Sequence, residues 1–253
     1  MADLAIIGGT GLTTLKNLEI SRREVMRTPW GEPSGPLITG TLGGKEVVFL
    51  ARHGHGHTIP PHMVNYRANI WALKETGVHS VIAIASVGGI RDDMEPGRLA
   101  FPNQIIDYTW SRKNTYFETD LTHVVHIDFT EPYCEELRCL LVEAARELGL
   151  AAIEEGVYGA TQGPRLETAA EIDRMERDGC DLVGMTGMPE ASLAREAGLC
   201  YATCAVIANR AAGRGAGSIS MEDIEGNLDT GMERVRRLLE TAIPMFSGAY
   251  CER

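Results

Sequence analysis

The stretch Leu4-Ala5-Ile6-Ile7-Gly8-Gly9-Thr10-Gly11 joins a short apolar run to a glycine-rich turn near the start of the chain. The apolar run predicts a buried strand. Glycines let backbone N–H groups converge on an anion without interference from Cβ atoms, and the Thr10 hydroxyl adds a donor. The combination suits phosphate or sulfate, but a strand followed by a glycine turn is also ordinary in α/β proteins.

Apolar runs alternate along the chain with segments whose apolar residues lie three or four positions apart, and this alternation predicts an α/β fold. Strands are predicted over residues 4–7, 46–51, 80–85, 101–107, 156–161, 181–184 and 201–208. Helices are predicted over residues 64–76, 135–148, 168–178, 189–197 and 220–243. Gly43-Gly44 predicts a hairpin between 36–42 and 46–51. Pro189, followed by Glu190, suits the first turn of a helix.

The 253 residues, 44% of them hydrophobic, are enough for a large apolar core. The sequence shows no repeat, low-complexity linker or break in composition. We therefore expect a single domain over residues 1–246 and a frayed tail over residues 247–253.

The net charge of −11 argues against a nucleic-acid partner, because phosphate backbones require a basic surface. No apolar run approaches the roughly 20 residues that cross a bilayer, and the first residues do not resemble a secretory signal. The six cysteines form no C-x-x-C pair, which favours a reducing compartment. We expect a cytoplasmic protein without a membrane partner.

Gly9-Thr10-Gly11 also begins the G-x-G-x-x-G fingerprint of dinucleotide-binding folds. Thr14 occupies the third glycine position, and no acidic residue ends a second strand about 20 residues later. These departures argue against a nicotinamide cofactor.

The motif ARHGHGH at residues 51–57 follows a predicted buried strand and places Arg52 and three histidines on one loop. The arginine fork matches phosphate oxygens, and a histidine adds a donor. A metal site is the alternative, but the sequence contains no helical His-x-x-x-His partner. For His55 and His57 we favour a place in a polar loop over a role as ligands.

Four more loops follow predicted strands, with the sequences ASVGG at 85–89, QGPRLET at 162–168, GMTGMPE at 184–190 and VIAN at 206–209. Each loop has a purely structural explanation, as a turn or a helix start. That a purely structural explanation holds for all of these segments at once is improbable, and this favours a functional role for the set.

The chain resembles, over nearly its whole length, the trimeric purine nucleoside phosphorylase and methylthioadenosine phosphorylase family. The resemblance rests on GGTGL at 8–12, ARHG at 51–54, VNYRANIWALK at 64–74, GPR at 163–165, MT at 185–186 and PE at 189–190. It implies one α/β domain with a central mixed β-sheet flanked by helices. It also implies a homotrimer with active sites at subunit contacts, and phosphorolysis of a purine nucleoside with inorganic phosphate as co-substrate and no cofactor or metal.

Carried over to this sequence, the resemblance implies phosphate ligands at Thr10, Arg52, His53, Ser86 and Thr186. Met185 would lie under the ribose. Arg52 and His53, which orient phosphate, and Asn209, which holds the leaving purine, would be the catalytic residues. A catalytically idle purine-binding protein is the alternative, and the intact Arg52, Thr186 and Asn209 argue against it.

Two positions predict which purine is bound. An ionised Glu167 only accepts hydrogen bonds, so it matches the N1–H of a 6-oxopurine and repels the N1 lone pair of adenine. Asn209 can donate to O6 and accept from a protonated N7. The adenine-specific branch of the family resembles this chain but has serine and aspartate at these positions. We therefore expect hypoxanthine or guanine in preference to adenine.

Met221 aligns with a position that is apolar in methylthio-specific members of the family and histidine in members specific for a 5′-hydroxyl. His126 resembles a residue that the neighbouring subunit adds to the same pocket. Together with the 6-oxopurine reading, these positions predict phosphorolysis of S-methyl-5′-thioinosine. Inosine or guanosine is the alternative substrate, and methylthioadenosine is a less favoured one.

Overall fold

The computed structural model describes residues 2–12, 14–119, 121–217 and 219–248; most of the predicted tail at 247–253 lies outside them. Within the described residues, ten strands form one sheet: β1 (Leu4–Gly8), β2 (Glu19–Glu24), β3 (Leu37–Leu42), β4 (Lys45–Ala51), β5 (Ser80–Gly89), β6 (Leu99–Ala100), β7 (Gln104–Asp107), β8 (Val157–Ala160), β9 (Leu182–Gly184) and β10 (Cys200–Arg210). The α-helices are α1 (Tyr66–Glu75), α2 (Glu135–Glu147), α3 (Ala169–Arg177), α4 (Gly187–Glu196) and α5 (Met221–Met245).

The sheet is mixed, with the order β2-β3-β4-β1-β5-β9-β8-β7, and β10 pairs with β5 and β6. β1 is parallel to β4 and β5, and β10 is parallel to β5. The carboxyl ends of these four strands therefore meet at one edge, where open α/β sheets bind ligands. β9 pairs antiparallel with the end of β5, which brings Gly184 at its carboxyl end beside Val87.

The predicted strands and helices are all present, but some bounds differ. β5 and β10 extend beyond their predicted ends, so Ser86 and Asn209 lie within strands instead of in the loops after them. The strand predicted over 101–107 is shorter, because Pro102 cannot donate to a neighbouring strand. β2 was not predicted, since its side chains are exposed and its sequence, EISRRE, is mostly polar.

Alternating side chains of the sheet pack into two apolar layers. Leu4 and Ile6 of β1 lie in the layer that α2 and α5 cover, whereas Ala5 and Ile7 lie in the layer that α1 and α4 cover. This arrangement confirms the predicted α/β class with a central mixed sheet flanked by helices.

The starts of α3 and α4 position residues for the site. Thr168 is the N-cap of α3, and its side chain forms a capping box with Glu171, so Glu167 stays outside the helix. In α4, both Met188 and Pro189 have non-helical backbone angles, so the regular helix begins at Glu190, one residue after the predicted start at Pro189. Thr186 and Met188 thus belong to a loop that leads away from β9.

None of the helices in the described ranges is both long enough and apolar enough to span a membrane. Within the same ranges, no three or more His, Cys, Asp or Glu side chains come together in a way that could hold a metal ion.

Candidate active site

A cavity of about 590 Å³ opens at the carboxyl ends of β1, β4, β5, β9 and β10. Nine of the ten predicted site residues line it: Thr10, Arg52, His53, Ser86, Glu167, Met185, Thr186, Asn209 and Met221. The tenth, His126, is exposed on the long connection between β7 and α2 and does not line the cavity.

The turn after β1 approaches the neighbouring strands closely. A Cβ atom on Gly9 would collide with the carbonyl oxygen of Ile84 and would lie 3.1 Å from Nη1 of Arg52, so only glycine fits there. The backbone N–H of Arg52 donates to the carbonyl of Gly8 at 3.0 Å, which fixes this turn to the loop after β4. The two predicted phosphate loops are therefore joined directly through their backbones.

Arg52 is 1% exposed and makes a bidentate ion pair with Glu190 of α4, at 2.7 Å through Nε and 2.6 Å through Nη2. Nη1 donates to the carbonyl of Ile84 at 2.8 Å, and the Tyr201 hydroxyl donates to Glu190 at 2.8 Å. Burial by itself would lower the pKa of Arg52, but the charge of Glu190 and its hydrogen bonds raise that pKa above its usual value.

Three of the five N–H groups of Arg52 are thus committed to protein acceptors, and two, one on each Nη, remain for a ligand. Sequence reasoning placed Glu190 only in the first turn of a helix and missed this pairing. A signal for this pairing was available in the sequence. Arg52 follows a predicted buried strand, and a buried arginine requires a buried acidic partner.

His53 is buried, and its Nδ1 lies 2.8 Å from the carbonyl oxygen of Ile59. In the neutral ring, Nδ1–H donates to this carbonyl and Nε2 is the acceptor. Burial and the neighbouring charge of Arg52 lower the pKa of His53 to about 4. The ring is therefore neutral near pH 7.

His57 lines the cavity beside His53, which sequence reasoning did not favour. Its Nε2 lies 3.0 Å from the Thr10 hydroxyl, and its ring centroid lies 4.9 Å from that of His53. The backbone at His57 is left-handed, with φ of 51°, a conformation that is uncommon for residues other than glycine. His55 is exposed and does not line the cavity.

Two polar side chains stand apart from the phosphate loops. The Glu167 carboxylate accepts a hydrogen bond from the Thr161 hydroxyl at 2.6 Å, which holds it at the cavity wall. The Asn209 amide donates to the carbonyl of Arg210 at 2.6 Å, and its second N–H and its carbonyl oxygen are left for a ligand. A carboxylate and a carboxamide thus line the same cavity.

Part of the cavity wall is apolar. Met221, at the start of α5, is 63% exposed, and Ile219, Ile224 and Leu166 line the cavity with it. Sequence reasoning identified Met221 but missed the other three.

Comparison with known proteins agrees with the geometry of this site. Residues 3–244 match the model of the phosphorylase superfamily. The chain belongs to this superfamily. The predicted family resemblance is thereby confirmed.

This phosphorylase is 54% identical, over 94% of its chain and 97% of the relative, to a probable S-methyl-5′-thioinosine phosphorylase of Pseudomonas syringae pv. tomato. It is 45% identical, over 97% of its chain and 93% of the relative, to a 6-oxopurine nucleoside phosphorylase of Pyrococcus furiosus. Its structure resembles methylthioadenosine phosphorylase from Schistosoma mansoni in complex with adenine, with a TM-score of 0.92, 33% identity, and coverage of 97% and 92% of the two chains.

Proposed function

We propose that this phosphorylase converts S-methyl-5′-thioinosine and phosphate into hypoxanthine and 5-methylthioribose 1-phosphate. The observation that carries the proposal is the joint placement of Glu167, Asn209 and the apolar Met221 region around one cavity that the two predicted phosphate loops also line. The names of the Pseudomonas and Pyrococcus relatives support it.

In the proposed reaction, phosphate is held by Arg52, His53 and the hydroxyls of Thr10, Ser86 and Thr186. The remaining N–H groups of Arg52 donate to it from a fixed position, because Glu190 holds the guanidinium in place. A neutral His53 with Nδ1–H committed to Ile59 accepts, through Nε2, a hydrogen bond from the O–H of hydrogen phosphate. Fixed donors that face the nucleophile align it with C1′.

The bond between C1′ and N9 of the purine lengthens as a phosphate oxygen attacks C1′. The sugar passes through an oxocarbenium-like transition state, and the bonding electrons move onto the purine. Glu167 accepts from N1–H and Asn209 donates to O6 as the base gains negative charge. The proton that hydrogen phosphate loses on forming the sugar phosphate ends on N7 of the purine, and the carbonyl oxygen of Asn209 accepts from this N7–H. The reaction requires no covalent enzyme intermediate.

The proposed site distinguishes 6-oxopurines from adenine more strongly than it distinguishes a 5′-methylthio group from a 5′-hydroxyl group. An adenine base would leave Glu167 facing a lone pair, which costs roughly 1–3 kcal/mol for each unsatisfied buried group. One methyl group in the apolar region is worth only about 0.8 kcal/mol. Inosine is therefore the competing substrate, ahead of methylthioadenosine.

The family also leads us to propose a homotrimer in which His126 of one subunit reaches the 5′ pocket of the next. We propose inorganic phosphate as co-substrate, no metal or organic cofactor, a cytoplasmic location and no nucleic-acid or membrane partner. The exposed position of His126 and the open apolar wall near Met221 support the subunit arrangement.

The test is a profile of initial rates on methylthioinosine, inosine, guanosine, methylthioadenosine and adenosine, with and without phosphate, with product bases separated by chromatography. We expect phosphate-dependent release of hypoxanthine from methylthioinosine, and release of adenine at least about 100-fold slower. Equal rates on the 6-oxo and 6-amino substrates would refute the base assignment. A faster reaction with inosine than with methylthioinosine would refute the proposed 5′ preference. Tight nucleoside binding without turnover would refute the proposed enzymatic activity.

A further inference from the structure

Arg112 lies in the connection between β7 and α2, outside the catalytic set described above. Its guanidinium group faces two loops of the site. Nη1 donates to the carbonyls of Met185 and Met188, at 2.8 and 2.6 Å, and Nη2 donates to the carbonyls of Thr161 and Gln162, at 3.1 and 2.7 Å. Nε donates to the side-chain oxygen of Gln162 at 3.1 Å.

These contacts use all five N–H groups of Arg112. Nη1 also donates to the Tyr66 hydroxyl at 3.4 Å. Among the described residues no carboxylate lies within 4.0 Å of this half-buried guanidinium, and four of its six acceptors are backbone carbonyls. The Tyr66 ring provides a further cation–π contact, with the guanidinium carbon 5.6 Å from its centroid. Five of the six acceptors come from two separate loops, and the sixth is the Tyr66 hydroxyl of α1.

The two loops carry different parts of the proposed site. Residues 161–167 follow β8 and end at Glu167, whose carboxylate accepts from Thr161. Residues 185–188 follow β9 and contain Met185 and Thr186. The loops also touch directly, since a Cβ atom on Gly163 would collide with the Met185 sulfur.

We infer that Arg112 is a positioning residue that fixes the base-reading loop at 161–167 against the loop at 185–188. Through this bridge it sets the distance between the Glu167 carboxylate and the Thr186 hydroxyl, and so the alignment of nucleoside with phosphate. The inference rests on the proposed function, because it assigns those loops to the purine and to phosphate.

The physical reason is geometric. A misplacement of reacting groups by about 1 Å can cost on the order of 100-fold in rate. The loops are joined at their bases by the pairing of β8 with β9, whereas their tips depend on side-chain contacts. A lysine has one ammonium group with three donors, so it cannot reproduce a planar fork that serves both loops.

The test uses Arg112→Gln and Arg112→Lys, with Arg98→Gln and Arg98→Lys as matched controls. Arg98 is also half-buried and donates to the carbonyls of Ala151 and Asp93, at 2.9 and 3.0 Å, neither of which lines the cavity. Steady-state kinetics with the best nucleoside substrate give kcat and both KM values, and thermal unfolding is measured in parallel.

For both Arg112 variants we expect kcat/KM to fall by roughly 10- to 100-fold at a temperature well below the unfolding midpoint. We also expect the KM for nucleoside and the KM for phosphate both to rise. The ratio of kcat/KM on 6-oxopurine nucleosides to kcat/KM on 6-aminopurine nucleosides should fall. Millimolar guanidinium ion should restore part of the rate of Arg112→Gln at concentrations that do not change the control. The Arg98 variants should keep kcat/KM within about twofold of the wild type.

If the Arg112 variants unfold earlier but keep the wild-type kcat/KM and base preference, Arg112 is only structural and the inference is overturned. If Arg112→Gln does not fold, Arg112→Lys decides, and full activity of the lysine variant overturns the inference as well. Failure of the proposed function looks different, because the wild-type protein itself would then show no phosphate-dependent cleavage of any nucleoside.

Discussion

Asn209 and Glu167 reach the cavity for different local reasons. Asn209 follows an irregularity in the pairing of β10 with β5, after Ile207, and Glu167 directly precedes the N-cap of α3. Each side chain is steadied by one hydrogen bond, to the carbonyl of Arg210 and from the hydroxyl of Thr161. Both groups therefore keep capacity for a ligand while their orientation is restrained.

Exchange of Asn209→Asp tests the reading of the purine. An aspartate can accept from the 6-amino group and N7–H of adenine but cannot donate to O6, so the ratio of activity on methylthioadenosine to activity on methylthioinosine should rise by roughly 10-fold or more. The ratio is measured from kcat/KM values on the two substrates.

Asn227→Asp is the matched control for that exchange. Asn227 is also half-buried and also donates to a backbone carbonyl, that of Ala208 at 2.9 Å, but it does not line the main cavity. Its variant should leave the substrate ratio as in the wild type. An unchanged ratio in Asn209→Asp would remove the role assigned to that amide.

His53 makes a contribution to the pH dependence of stability. Its pKa is about 4 in the folded protein, against an ordinary value of 6.5, so between these values the unfolded chain binds a proton that the folded protein does not. The free energy of unfolding should therefore fall as the pH decreases from about 6.5 to about 4, by roughly 1–3 kcal/mol from this group alone.

Urea titrations at several pH values across this window, on the wild type and His53→Asn, isolate the contribution of His53 from that of the carboxylates. The variant should lose less stability than the wild type on acidification. His55→Asn, at an exposed position of the same loop, should follow the wild type. Parallel curves for all three proteins would contradict the buried neutral state of His53.

At the scale of elements, α4 connects the phosphate loops to the core. Its irregular start leaves Thr186 at the cavity, and at the first residue of the regular helix Glu190 is buried against Arg52 from the loop after β4. Tyr201 from β10 completes this arrangement. A helix start, a loop after a strand and a central strand thus hold one guanidinium group in place.

Glu190→Gln should destabilise the protein strongly, because it leaves the buried charge of Arg52 without its counter-charge. Loss of one partner of a buried ion pair costs about 3–5 kcal/mol. Phosphate KM should rise as well, since Arg52 loses its fixed orientation. Both effects are measured by urea unfolding and by steady-state kinetics.

The control is Glu154→Gln, which breaks the bidentate pair with Arg146 at the surface, where the side chains are 47% and 67% exposed. Such pairs contribute little, so stability and phosphate KM should barely change. Equal effects of the two substitutions would mean that Arg52 does not depend on Glu190.

At the scale of the whole molecule, the net charge of −11 contrasts with the cationic Arg52 of the proposed phosphate site. The proposed binding of phosphate therefore depends on the local arrangement of donors and not on the overall charge of the protein. The single chain also leaves Trp110 and Val124 exposed, at 67% and 70%, on the same connection that carries His126. This apolar exposure supports the proposal that another subunit covers the connection.

Sedimentation should accordingly give a species of three chains of 27.5 kDa each. Val124→Asp should shift this species towards smaller ones and lower the activity on methylthioinosine, because a buried unpaired carboxylate opposes association. A wild-type protein that sediments as a fully active monomer would contradict the trimer and the role of His126.

The sequence alone was sufficient for the fold class, the family and nine of the residues that line the cavity. Buried apolar strands such as 4–7 and 80–85 leave a clear pattern, and the glycine-rich loops at their ends are recognisable motifs. β2 left no such pattern, because an exposed edge strand of polar residues satisfies no apolar periodicity.

Only the tertiary structure decided the contacts between residues that lie far apart in the chain. Arg52 and Glu190 are separated by 138 positions, and Arg112 and Met185 by 73. Local patterns record burial and turns, since these depend on neighbouring residues. The partner of a buried charge, or of a guanidinium fork, depends on how strands and loops pack across the sheet, and no local pattern encodes it.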